Sequence, residues 1–114
     1  MKAALVLLII IAVSVAAVAV VGAGNQGAEN IKIYGGSKGN ILFPHHAHQD
    51  QLQDCNTCHS VFPQEADGIK KLKDSGQLKK KQVMNKQCIK CHRDKKKAGN
   101  PSGPTTCSKC HVKG

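Results

Sequence analysis

The chain has 114 residues, 17 Lys and Arg against 7 Asp and Glu, and only 3% aromatic residues with no Trp. Once an N-terminal targeting segment is set aside, about ninety residues remain, one small domain with too few large apolar side chains for a core that folds unaided. The scarcity of aromatics also argues against a base-stacking nucleic-acid surface, the first reading that so basic a chain invites.

Lys2 is followed by an apolar run, Ala3 to Val21, then by Gly22, Ala23 and Gly24 and the polar Asn25 and Gln26. A basic start, an apolar stretch and a small-residue exit describe a secretory signal over residues 1–23, with cleavage after Ala23. The run is also long enough to span a bilayer, so a retained membrane anchor is the alternative. Residues 24–114 then form a single domain on the outer side of the inner membrane.

Ile31–Tyr34 and Asn40–Phe43 read as two short strands joined by a glycine-rich turn over residues 35–39. Pro44 suits the first position of a helix running toward Leu52. On that helix His45 and His48 are three apart and share a face, whereas His46 points about 100° away from His45. Residues 62–87 form a long Lys-rich connection, with a helix expected over about Ile69 to Val83 and a break near Ser75-Gly76. Asn100 to Pro104 reads as a loop, and Thr106 as the cap of a final turn. The expected fold is small, mostly irregular and α, with a short N-terminal β-hairpin.

The six Cys decide the chemistry. All occur in three Cys-x-x-Cys pairs, each followed at once by His: Cys55, Cys58 and His59; Cys88, Cys91 and His92; Cys107, Cys110 and His111. Two thiols at this spacing can add across the two vinyl groups of one haem, and the adjacent His is carried beneath the ring as an iron ligand, the pattern of c-type haem attachment. A disulfide scaffold would not require a His after every second Cys. Zinc ribbons use two such pairs per ion and would leave one pair unmatched. A thioredoxin-like redox site would need a βαβ setting that is absent. The expected cofactors are therefore three covalently bound c-type haems, which also supply the missing core.

Three haems have six axial positions. His59, His92 and His111 fill three, and the other three His are His45, His46 and His48. With two on one helical face, two different irons are within reach.

On the Phe-Pro-His-x-x-His element at Phe43 to His48, the three Cys-x-x-Cys-His motifs, the N-terminal hairpin and the Lys-rich connections, the sequence resembles the triheme cytochrome c7 family, short relatives of cytochrome c3. The resemblance covers essentially all of residues 24–114, although the connection over residues 62–87 is longer than the family leads one to expect. It implies that His45 pairs with His59 at the first haem and His48 with His92 at the middle haem. The family's third distal ligand is a His four residues before the second motif, a position held here by Met84. Thioether sulfur is a known axial partner of His in c-type haems, so Met84 is expected opposite His111. The alternatives are His46, Lys86, a five-coordinate iron, or a Met84 that only packs.

The resemblance further implies electron carriage in the periplasm during anaerobic respiration, and no enzymatic activity. The partners expected are redox proteins of the inner membrane, periplasm or outer membrane with acidic docking surfaces, met by a monomer through its Lys clusters. The competing reading is a haem enzyme or gas sensor with an open iron at the last haem.

Overall fold

The computed structural model describes residues 24–113, so the expected signal or anchor over residues 1–23 lies outside it. Strand β1 (Asn30–Ile33) pairs antiparallel with β2 (Asn40–Pro44), Ile31 facing Phe43 and Ile33 facing Ile41. This is the expected hairpin, and a short 3₁₀ turn at Gly36–Lys38 closes it. Alternation along the pair puts Ile31, Ile33, Ile41 and Phe43 on one face. A third strand, β3 (His111–Val112), joins the far side of β2 and sets His111 opposite Ile41. It was not expected, because two residues carry no alternating pattern to read.

Pro44 proves to be the last residue of β2 and the cap of α1 (His45–Leu52) rather than the first residue of that helix. Its ψ of 83 lies outside the helical range, so the chain turns from strand to helix without a linker. Next come α2 (Asn56–His59), a single turn holding the first motif, and α3 (Gly68–Asp74). The helix expected to reach Val83 stops at Asp74, at the anticipated break, and helical structure resumes only with a π-helical stretch over Val83–Cys88. That stretch runs into α4 (Ile89–Lys97), and α5 (Cys107–Cys110) precedes β3. Thr106 does occupy the cap of α5, but its side chain makes no capping hydrogen bond.

Gly99 ends α4. Its φ is 76, its N–H reaches Lys96 O at 3.1 Å, and the N–H of Asn100 reaches Lys95 O at 3.0 Å. This pair of bonds is a Schellman closure, which favours a residue without Cβ. The chain reverses here and sends residues 100–104 back toward the second motif.

What the described residues lack is a conventional core. Phe62, 8% exposed, is the one buried hydrophobic side chain among them, while Leu42 and Val112 remain 66% and 64% exposed. In place of a core lies a continuous cavity of about 1630 Å³. Pockets for single drug-sized ligands run to about 1,000 Å³, so this space is larger than one such group requires.

Because little apolar surface is buried by protein alone, folding depends on what fills that space. Replacing the last motif (Cys107→Ser, Cys110→Ser and His111→Ala together) should abolish cooperative thermal unfolding followed by far-ultraviolet circular dichroism. A transition near that of the unaltered protein would show that the chain holds itself together.

Candidate haem-binding site

In α2 and α5 the two Cys of a motif sit three residues apart on one helical turn, which points both thiols to one side. The second motif straddles the junction between the π-helical stretch, which ends at Cys88, and α4. The third departs at its last residue. His111 is extended (φ -85, ψ 114) and belongs to β3, so the sheet rather than a helix aims its ring.

All six Cys are free thiols, and all six line the large cavity. Burial pushes the Cys88 thiol up to about 11, and the neighbouring Cys58 and Cys110 add to the shift. Burial likewise raises Cys58, with Cys91 contributing. The three motifs therefore converge on one interior, where burial favours the uncharged form of Cys58, Cys88 and Cys110.

The imidazoles follow a single rule. His45 donates from Nδ1 to Ala28 O at 3.1 Å, His48 to Pro44 O at 2.9 Å, and His59 to Phe62 O at 2.9 Å. His92 does the same to Pro104 O at 2.6 Å and His111 to Gly39 O at 2.8 Å. A carbonyl can only accept, so each Nδ1 carries the proton and each Nε2 keeps its lone pair, the arrangement that metal-binding His residues favour; at His45 that lone pair lies 3.4 Å from the Gln49 side-chain amide nitrogen. These five rings line the cavity.

His46 is the exception. Its Nε2, not its Nδ1, bonds Gly27 O at 2.9 Å, and the residue is absent from the cavity wall. Its side chain fastens the segment before β1 to α1. Gln49 reinforces the attachment, its side-chain amide bonding both the N–H and the C=O of Gln26 at 2.9 Å.

Two pairs of rings meet, His45 with His59 edge-on at 87° and His48 with His92 tilted by 31°. The centroids of His45 and His59 are 6.2 Å apart, and those of His48 and His92 are 6.1 Å apart. A metal–imidazole bond of about 2 Å and a further ~1.1 Å to the ring centre, taken on both sides, give about 6 Å. Each pair thus has the separation of two axial ligands across one metal. Among the described residues no three His, Cys, Asp or Glu side chains cluster as a bare ion would require. A planar group with two thiol anchors and an axial position on each face fits these residues. Phe43 packs beside both distal rings, 4.3 Å from His48 and 6.1 Å from His45.

Met84 lies on the π-helical stretch, half-buried, and lines the cavity together with His111. Stretches of π-helix recur at functional sites because the wider turn re-aims a side chain.

The supports of His92 carry no signal a sequence reader would follow. Its carbonyl partner belongs to Pro104, and a Cβ on Gly103 would lie 2.5 Å from His92 Cε1 and 2.7 Å from Nε2. Gly103→Ala should therefore displace the ring or the loop and destabilise the protein by ~1–3 kcal/mol, the usual range for overpacking. Gly24→Ala, where a Cβ meets nothing within 4 Å, should stay within about 0.5 kcal/mol. Denaturant midpoints for the two variants check this.

Comparison with known proteins bears on the same residues. The family model of cytochrome c7 and related cytochrome c matches residues 41–112. The chain is 33% identical over 75 residues to a cytochrome c7 of Geobacter metallireducens, covering 66% of this chain and 67% of that protein. It is 30% identical over 84 residues to a cytochrome c3 of Desulfuromonas acetoxidans, covering 74% of this chain and 98% of that protein. The solution structure of the triheme cytochrome PpcA of Geobacter sulfurreducens superposes with a TM-score of 0.54 at 32% identity, over 75% of this chain and 100% of that one.

Proposed function

We propose that this chain, which belongs to the family of cytochrome c7 and related cytochromes c, relays electrons through the periplasm in anaerobic respiration by way of its three covalently attached haems. Its relatives are cytochromes c7 and c3, electron-transfer proteins rather than enzymes. The observation that most supports the residue assignment is that His45 with His59 and His48 with His92 each bring two cavity-lining, Nδ1-donating rings to a centroid separation of about 6 Å. In this reading residues 1–23 are an export signal and residues 24–114 the cytochrome domain.

Each bound haem supplies one-electron chemistry at its iron. The chain does the rest. Cys55 and Cys58 would hold the first haem, Cys88 and Cys91 the middle one, and Cys107 and Cys110 the last. His59 and His45 would ligate the iron of the first, His92 and His48 that of the middle one, and His111 and Met84 that of the last. The carbonyl bonds at Nδ1 fix ring orientation and raise the basicity of each Nε2. Among the described residues no helix is long and apolar enough to cross a membrane.

Charge is divided along the chain. Residues 24–59 contain Lys32 and Lys38 against Glu29, Asp50 and Asp54, whereas nearly all other Lys and Arg follow residue 60. The last turn of α4 alone carries Lys95, Lys96 and Lys97. This supports docking of acidic redox partners on the side of the middle and last haems. Transfer to an acidic partner should slow steeply as salt rises. Reversing Lys96 and Lys97 to Glu should slow it further at low salt, and stopped-flow rates insensitive to both changes would make these lysines a solvated face.

Met84 gives the last site its character. Met/His ligation raises reduction potential relative to His/His, so the last site should lie well above the other two and hold an electron most tightly. Met84→His should lower that potential alone and remove the weak long-wavelength sulfur-to-iron band of the oxidised protein. His46→Ala should change neither. Three closely spaced potentials, unmoved by Met84→His and without that band, would leave Met84 as a packing residue. Stoichiometric carbon monoxide binding to the reduced protein would instead indicate an open iron.

A further inference from the structure

We propose that Gln87 is a positioning residue that sets the first and middle haem sites relative to each other, a role that rests on the residue assignment above. Gln87 immediately precedes Cys88, the first anchor of the second motif. Its Nε2 donates to Thr57 O at 2.6 Å and lies 3.8 Å from Cys58 Sγ. Both acceptors belong to the first motif, 30 and 29 residues earlier in the chain. Among the described residues this is the only side-chain hydrogen bond that joins one Cys-x-x-Cys-His segment to another.

Elsewhere two such segments would be registered by apolar packing, but α2 and the π-helical stretch contain no buried side chain. The connection between them, residues 60–82, carries its one helix, α3, well short of the second motif. A half-buried amide reaching across the cavity wall supplies the missing constraint. It acts at the anchors themselves, where a small shift of the helical turn becomes a shift of the whole attached group. Electron exchange between two centres and the Coulomb interaction between their charges both depend on separation. Loosening this bond should therefore alter the interaction of the first and middle sites and leave that of the middle and last sites, which share no such tether, unchanged.

The amide's chemistry decides which replacements work. Gln87→Ala removes the donor. Gln87→Glu sets an acceptor against the Thr57 carbonyl and should be worse. Gln87→Lys restores a donor at similar reach and should rescue. The holoproteins are compared by redox titration followed on the haem methyl resonances, after haem content is counted. Loss of one neutral hydrogen bond lowers the ratio of tethered to untethered forms by roughly fivefold, so first-to-middle exchange should slow, by at most about that factor, in Gln87→Ala and recover in Gln87→Lys. A wild type with fewer than three haems would refute the triheme assignment rather than the tether. With three haems present, variants indistinguishable from wild type, or all pairwise interactions shifting together, would overturn the tether. The wild type provides a test that needs no variant: one Gln87 side-chain amide proton should exchange slowly with solvent, and two freely exchanging protons would overturn the proposal.

Discussion

Five imidazole rings donate their Nδ1 protons to five main-chain carbonyls, and the path of the chain follows from that requirement. The acceptors belong to Ala28, Gly39, Pro44, Phe62 and Pro104. Only Pro44 O lies within the element next to its ring, one turn before His48 on the lead-in to α1. The others are brought by segments that must bend back toward a His: the strap before β1, the hairpin turn, the exit from α2 and the loop after α4. Four of the five acceptors, Ala28, Gly39, Phe62 and Pro104, lie outside any helix or strand, so aiming these rings with backbone goes together with sparse regular structure.

The same economy explains the composition. A chain whose interior is a cavity with all six Cys and five of the six His on its wall needs few aromatics, and Phe43 and Phe62 both serve ring placement. Phe43 packs against the two distal imidazoles, and Phe62 offers its carbonyl to His59. His46 has neither role. Its bond runs through Nε2 to Gly27 O, the reverse of the Nδ1 pattern of the other five rings, and it acts as a clasp on the N-terminal strap.

Much of this was legible from residue order. Three motifs of invariant internal spacing, two His on one helical face and a glycine-rich turn between alternating strands each impose a local geometry that tertiary context did not override. The limits of α3 were less so. Ile69, Leu72, Leu78 and Val83 suggest helix on both sides of a break at Ser75-Gly76; the chain does turn at Gly76, with its N–H on Lys73 O and that of Leu78 on Leu72 O, but regular helix resumes only at Val83. Strand β3 could not be read at all, since its partner and not its sequence makes it a strand. The carbonyl acceptors were equally hidden, because any residue presents the same C=O. Gln87 stood beside a motif without belonging to it, and only folding brings Thr57 within its reach.

The third motif ends in a strand that closes against β2, so His111 meets the Gly39 carbonyl across 72 residues. The three sites are consequently nested in the order in which the chain emerges. The supports of His59 and His45 lie within residues 28–62, those of His92 and His48 extend to Pro104, and the last ring is seated only when the final residues arrive. Contacts of such long range are made late, after the entropy of closing the intervening loop has been met. A chain closed in this way would be fastened from its N-terminal end with the C-terminal motif as the closing stitch, and one stopped before that point would leave the cavity open on the side that β3 covers.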